Sequence, residues 1–286
     1  MNARCFLAVL IPAPFLAGCG GAEHPPGPGD CEEGPRGIDV SAFNGAIDWG
    51  AVADSGIDFA FAKASEGLTI CDDRFQANWL GMRANGLTRG AYHFFHPGDD
   101  GSVQADAFLG CAGIFGPDDL PPVLDWETSD ASDVSEAIAS AQAFVAEIRA
   151  RTGLSTVIYT YRDYWDTLGD PAQFGSQPLW LASYSASCPT VPPPWSNWLF
   201  WQYADDGNVP GVAGAVDVDR FAGTLAELHA WAGSEASDAG AIDAGRSEVG
   251  EPATEARTGC GLGGGPGCAA LWCWLLVGLP RRQSAR

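Results

Sequence analysis

The sequence predicts an α/β fold, an irregular single-domain β/α barrel of eight strands and about five helices. Three observations carry this expectation. Up to Arg151, short apolar strands alternate with helices through brief connections, which is the rhythm of a parallel sheet with helices outside it. Beyond Arg151 four further strand-like runs follow, and the last three are separated by Pro/Trp/Gly-rich loops too turn-like to form full helices. Acids and aromatic residues collect at the strand ends, where barrels place functional side chains. With 286 residues, 46% of them hydrophobic, the chain can bury a large core.

Taken in order, Gly37 to Phe43 reads as a strand carrying Asp39, and Ile47-Asp48-Trp49 opens a helix that runs through Ala53 and stops at Gly56. Asp58 to Ala64 alternates Phe59, Phe61 and Lys63 with small apolar residues, as a buried strand does, and ends in Ser65-Glu66-Gly67. From Asp72 to Asn85, Phe75, Trp79, Met82 and Arg83 fall at helical spacing, with Gly86 closing the helix. Thr88 to Phe95 is a strand, Val103 to Phe115 a helix, and Leu120 to Thr128 a short strand entered through two prolines and left through two acids. Val134 to Arg151 is the strongest helix. Val134, Ile138, Ala141, Val145 and Ile148 mark one face, and acids at its start and arginines near its end suit the helix dipole. The strands Ser155 to Tyr161, Leu179 to Tyr184, Leu199 to Tyr203 and Ala215 to Phe221 complete the set, and Thr224 to Ala232 is a closing helix.

The two ends do not belong to this body. Residues 1–19 combine Arg4, an apolar run and Leu16-Ala17-Gly18-Cys19, the make-up of a bacterial export signal; the last four residues resemble a lipobox, which would lipidate Cys19. Residues 20–35 form a Pro/Gly/Glu tether, and the barrel is expected over 36–232. Residues 233–258 lack large apolar side chains and are expected to be a disordered acidic linker. Residues 259–286 hold Gly259-Cys260-Gly261, an apolar segment from Cys268 to Leu279, and terminal arginines. That order resembles the C-terminal sorting tails of myxobacterial surface proteins. The apolar segment is shorter than the roughly 20 residues that span a bilayer, although its arginine-closed end fits the positive-inside pattern. An exported protein, held at the cell envelope by an N-terminal lipid or the C-terminal segment, is the expected location.

The net charge of −21 argues against nucleic acid as a partner; within 36–232 there are 26 acids against 9 bases. Four cysteines fall in the body or beside it: Cys31, Cys71, Cys111 and Cys188. In an exported chain they suggest two disulfides with three possible connectivities, and alternation along the fold favours Cys71 with Cys111. None of the four has C-x-x-C spacing, so no metal is expected, and nothing in the sequence calls for a cofactor.

Asp125 and Glu127 are two residues apart on a strand, so they share a face at roughly 6.5 to 7 Å. Glycosidic bonds are cut by carboxyl pairs about 5 to 9.5 Å apart. Alone, Asp-x-Glu suits equally a loop in which Asp125 caps a helix and Glu127 is solvated. Around this pair the strand ends supply Asp39, Lys63, Tyr92, Tyr159, Trp180, Tyr184, Trp201, Gln202, Asp217 and Asp219. Aromatic rings stack on sugar faces, and clustered carboxylates raise one another's pKa until one stays protonated near neutral pH.

Gly37-Ile38-Asp39-Val40-Ser41, Lys63-Ala64-Ser65-Glu66-Gly67, Arg89-Gly90-Ala91-Tyr92-His93-Phe94, Pro122-Val123-Leu124-Asp125-Trp126-Glu127, Pro178-Leu179-Trp180-Leu181-Ala182, Trp201-Gln202-Tyr203 and Val216-Asp217-Val218-Asp219-Arg220-Phe221 occur in one order along the chain. Together they resemble the glycoside hydrolase family 25 lysozymes, the Chalaropsis type, from about Gly37 to Leu228. The resemblance implies an eight-stranded barrel and hydrolysis of the β-1,4 bond between N-acetylmuramic acid and N-acetylglucosamine, with peptidoglycan glycan strands as the partner. It implies Glu127 as general acid, Asp125 as the group acting on the substrate's acetamido group or on developing charge, and Asp39 and Asp217 as the remaining active-site acids. Tyr92, Tyr159, Trp180, Tyr184, Trp201, Gln202 and Lys63 are candidate substrate contacts, although each ring also suits the barrel core and Lys63 also suits neutralising a carboxylate. His93 and His96 are expected to be structural or rim residues, and Asp219 to face outward toward Arg220 or a helix.

Overall fold

A computed structural model describes residues 31, 33–184 and 188–233 of the chain; the export signal, Cys19, most of the tether, the linker and the C-terminal tail lie outside the described residues. The strands are β1 (Arg36–Val40), β2 (Phe59–Glu66), β3 (Ile70–Cys71), β4 (Thr88–Phe94), β5 (Val123–Asp125), β6 (Val157–Tyr161), β7 (Leu179–Ala182), β8 (Phe200–Gly207) and β9 (Val216–Phe221). The helices are α1 (Trp49–Asp54), α2 (Phe75–Ala84), α3 (Gly101–Ala112), α4 (Val134–Thr152), α5 (Arg162–Thr167) and α6 over 225–233. One sheet runs β1-β9-β8-β7-β6-β5-β4-β2-β3, and β1 pairing with β2 closes it into an eight-stranded barrel with β3 as a two-residue spur.

Among the barrel strands the neighbours from β1 through β8 are parallel, whereas β9 is antiparallel to both β8 and β1, and the spur β3 is antiparallel to β2. The parallel pairing expected from the strand-helix rhythm up to Arg151 is present, and the reversal falls in the later part of the chain, where that rhythm changes. Only residues 208–215 join β8 to β9, too few for the crossover of a dozen or more that a parallel return requires, so the chain turns back as a hairpin. The start of β9 consequently stands beside the finish of the other strands.

Strand alternation divides the side chains between two cores. Phe59, Phe61, Val123, Val157, Trp180, Phe200 and Phe221 belong to the cluster inside the barrel, while Ala60, Ala62, Ala64, Leu124, Ile158 and Leu181 join the one beneath the helices. Phe61 stacks on Trp180 with centroids 4.4 Å apart, and Phe200 meets Phe61 edge-on at 5.1 Å. Gly37 and Gly90 make room for this plug, because a Cβ on either would collide with the ring of Phe59 or Phe61.

Helix α4 begins where Asp133 accepts from the Glu136 amide and ends at Gly153, whose φ of 73° is the left-handed conformation that glycine adopts without strain. Its buried face is Ala137, Ala141, Phe144 and Ile148; Val134, expected to share it, is exposed, and Ile138 and Val145 pack at the margin. Contact with α3 turns the helix so that Phe144 takes the centre of the face, where it meets Phe108. Two disulfides close, Cys71–Cys111 and Cys31–Cys188, with Cα atoms 5.6 and 5.5 Å apart, the pairing that alternation favoured. They span 40 and 157 residues. In the chain-entropy account each stabilises the fold by about 4 to 5 kcal/mol. Cys31 is buried, so the end of the tether is fastened to the barrel.

Gly37→Ala is expected to destabilise the barrel by about 1–3 kcal/mol through overpacking against Phe59, read as a lower urea midpoint with an unchanged slope. Gly110→Ala, whose added Cβ meets nothing, is the matched control.

Candidate active site

At the end of the barrel where the parallel strands finish, a cleft of about 280 Å³ is lined by Asp39, Asp125, Glu127 and Asp217 together with Lys63, Tyr92, Tyr159, Tyr184 and Gln202. Asp39 and Asp217 are register partners across β1 and β9. The reversal of β9 explains this meeting: Asp217 is the second residue of its strand, yet it stands at the mouth. Asp125 is the last residue of β5 and is buried, and Glu127 lies two residues further on, half-buried. The Asp125 carbonyl accepts from the Phe95 amide at 2.9 Å and the Trp126 amide donates to Tyr159 at 3.0 Å, which keeps the backbone extended past the strand end. Trp126 points the opposite way, wedged among Phe95, Trp165 and Phe174. The buried indole thus anchors the segment while both acids face the cleft.

Gln202 ties three strands together. Its Nε2 donates to Asp39 Oδ2 at 2.7 Å, and its Oε1 accepts from the hydroxyls of Tyr159 and Tyr184 at 2.9 and 2.8 Å. Lys63 Nζ is 2.6 Å from Glu66 Oε2 and 4.7 Å above the centre of the Phe94 ring.

Every carboxyl in the cleft is harder to ionise than an ordinary one. Burial raises Asp39, with Asp217 and Glu127 adding repulsion, and burial raises Asp125, with Glu127 and Asp39 adding more. Glu127 is raised by burial against the opposing charge of Lys63. Asp217 is pushed up to about 6 by burial and then by Asp205 and Glu127. Such a site holds protons at pH values where free carboxylates have lost them.

The expected contacts divide by position. Tyr92, Tyr159, Tyr184, Gln202 and Lys63 line the cleft, and Tyr184, 55% exposed, is the most open of these three tyrosines. Trp180 touches the cleft from below but is only 2% exposed, so it forms the floor. Trp201 is corrected from a cleft residue to a packing residue. Alternation puts it on the strand face opposite Gln202, where it is buried beside Trp198 and Tyr203 and donates its Nε1 to the Ser183 carbonyl at 2.9 Å. Asp219 is corrected too. Residues two apart on a strand share a face, so it points inward with Asp217, is fully buried, and accepts from Trp180 Nε1 at 3.0 Å.

His93 lies behind the sheet, bonded to Ser65 and Gln104, stacked on Phe144 and pushed by burial down to about 4. His96 sits at the rim between Asp130 at 2.6 Å and Glu66 at 3.4 Å. Phe43 lines the cleft and is 96% exposed, a position the sequence reading left inside the first strand. Ser41 and Asn44 cap a helical turn over Ala42–Asn44 that lifts the ring out of the strand, and that Ser-x-x-Asn spacing was the signal available. A second depression of about 440 Å³ continues the cleft past Glu127 over Tyr161, Arg162, Ser183 and Tyr184.

Buried acids beneath an open trench edged by tyrosines, at the functional end of a β/α barrel, are the setting of a glycoside hydrolase. Residues 38–212 match the model of glycosyl hydrolases family 25, and the chain belongs to that family. It is 39% identical over 230 residues to lysozyme M1 of Streptomyces globisporus, covering 77% of this chain and 78% of that one. To the N,O-diacetylmuramidase of Chalaropsis sp it is 30% identical, covering 64% and 95% respectively. The crystal structure of the bacterial lysozyme from Streptomyces coelicolor superposes with a TM-score of 0.68 at 38% identity, over 71% of this chain and 99% of that one.

A raised acid keeps, in the folded state, a proton that the unfolded chain has released, so stability falls as pH climbs through the interval between the two pKa values. For Asp217 that interval runs from 3.8 to about 6. Asp217→Asn is therefore expected to raise the melting temperature by roughly 2–4 °C near pH 7, its partial exposure limiting the gain, and to leave it unchanged near pH 4. A melting curve at each pH checks both signs.

Proposed function

We propose that this cleft cuts the β-1,4 bond between N-acetylmuramic acid and N-acetylglucosamine in peptidoglycan, with Glu127 as general acid. The observation that carries the assignment is Glu127 itself, a carboxyl raised in pKa yet still reachable from the cleft, two residues from Asp125. Protonation of the leaving oxygen is helped by an acid that holds its proton above the usual carboxyl range, and burial moves Glu127 in that direction. As the bond breaks, positive charge grows at the anomeric carbon. Asp125 acts on that charge or on the acetamido group beside it. Asp39 and Asp217 frame the sugar, with Asp39 held by Gln202. Tyr92, Tyr159 and Tyr184 offer ring contacts, Tyr184 from the rim. Lys63, bonded to Glu66, reduces the repulsion among the acids.

Purified peptidoglycan should clear and release new reducing ends with the wild-type protein, and Glu127→Gln should slow both by about 10²- to 10⁴-fold, the usual contribution of a positioned proton donor. Wild-type binding to glycan without new reducing ends would sink the proposal.

We also propose that the chain is exported and retained at the envelope. Two disulfides in the described body suit an oxidising compartment. The reading assigns 1–19 to the signal, 20–35 to a tether, 36–232 to the catalytic body, 233–258 to a linker and 259–286 to a sorting or anchoring tail. Lipidation of Cys19 predicts that Cys19→Ala moves the protein from the membrane fraction to the soluble one, and continued membrane association would point to the C-terminal segment instead.

A further inference from the structure

Asp219 is the one buried acid of the barrel mouth for which the proposed reaction has no use. It sits on β9 below Asp217, with no solvent exposure, and Gln202 of β8 is its register partner. One carboxyl oxygen, Oδ1, accepts from Trp180 Nε1. The other, Oδ2, is buried, and among the described residues no N–H or O–H donor reaches it. The carboxyl that adjoins it is that of Asp39, two residues along β1 from Gly37, the register partner of Asp219 on that strand; Asp39 Oδ2 is already taken by Gln202, the register partner of Asp219 on β8. Two carboxylates have acceptors only, so this contact is satisfied when a proton lies between them.

We propose that Asp219 is a positioning residue for glycan cleavage: carrying a proton, it donates to Asp39 and holds that carboxylate as an anion facing the sugar. The role rests on the muramidase reading given above. Asp39 is the partner fitted to be the anion, because Gln202 Nε2 donates to it and thereby favours its charged form. Asp219 is fitted to keep the proton. It is shut away from water, and the groups that face it are Asp39 from β1, Asp217 from its own strand, and the uncharged Trp180 and Gln202 from β7 and β8. Burial and the charge of Asp39 both oppose its ionisation. Loss of the proton at alkaline pH would set two buried anions face to face and push Asp39 off the position that Gln202 defines.

An amide reproduces the protonated acid and an alkyl group does not, which separates positioning from simple filling of space. In Asp219→Asn the side-chain carbonyl can still accept from Trp180, and the NH₂ group can donate to Asp39 at every pH. In Asp219→Leu neither bond forms. With peptidoglycan as substrate, Asp219→Asn is expected to keep kcat within about threefold of wild type near neutral pH and to extend activity to higher pH. Asp219→Leu is expected to lose kcat about 10- to 100-fold with little change in KM, the size of effect that follows removal of a hydrogen bond to a charged group. Melting curves add a reading that needs no substrate: as pH rises above the ordinary aspartate value of 3.8, the Asn variant should lose less stability than the wild type, because it lacks an acid that keeps in the folded state a proton the unfolded chain releases. The role is overturned if Asp219→Asn loses as much kcat as Asp219→Leu while both fold, if its alkaline limb coincides with that of the wild type, or if the Leu variant keeps wild-type kcat. A wild-type protein that releases no reducing ends from peptidoglycan would overturn the muramidase reading, whereas the melting comparison would still report on the proton of Asp219.

Discussion

Crowding several carboxyl groups into one partly dry cleft is the constraint to which the rest of the barrel answers. Like charges at such distances repel, and each loses solvation on burial, so the cluster is tolerable only when protons, hydrogen bonds or a cation relieve it. Each device is present. Gln202 donates to Asp39, Lys63 lends positive charge near Asp125 and Glu127, and the pKa of every acid is displaced upward. Beneath them Phe61, Trp180 and Phe200 fill the barrel with rings, which denies water an approach from below. The aromatic plug and the acidic mouth are therefore parts of one arrangement, since the dry floor contributes the burial that displaces the acids upward.

Much of this was legible in the residues because strand and helix periods expose it. The alternation Phe59, Phe61, Lys63 against Ala60, Ala62, Ala64 names both cores in advance, and acids at the start with arginines near the end mark the two ends of α4. The acids that meet in the cleft could also be chosen beforehand, as they stand at strand ends beside aromatic residues. What escaped was whatever depends on direction. The hairpin return of β9 follows from the shortness of 208–215, a count that composition does not reveal. Trp201 and Gln202 look equally suited to a sugar site until the strand is given its register, and then only Gln202 faces inward. Asp219 was misplaced for the opposite reason, since a period of two requires it to follow Asp217. Phe43 escaped because a capped turn, not the strand, sets its direction.

The two histidines show how position alone divides one residue type. His93 is held between Ser65 and Gln104 under the helices, where burial keeps it neutral and its ring serves as a packing surface against Phe144. His96, three residues later, sits between two carboxylates at the rim, and its hydrogen bonds to Asp130 and Glu66 raise its pKa. Glu66 also bonds Lys63, so a chain of contacts runs from Asp130 at the surface to the cation beside the acids of the cleft.

The bond between Cys31 and Cys188 has a mechanical consequence. Cys31 stands five residues ahead of β1, and its partner lies in the connection between β7 and β8. Tension arriving along the chain ahead of the barrel meets the folded body at Cys31, where the covalent link shares it between β1 and the β7–β8 connection. A pull directed at β1 alone would strain the seam where β1 joins β9, and with it the alignment of Asp39 and Asp217. By dividing the load ahead of that seam, the disulfide spares the register that brings Asp39 and Asp217 together.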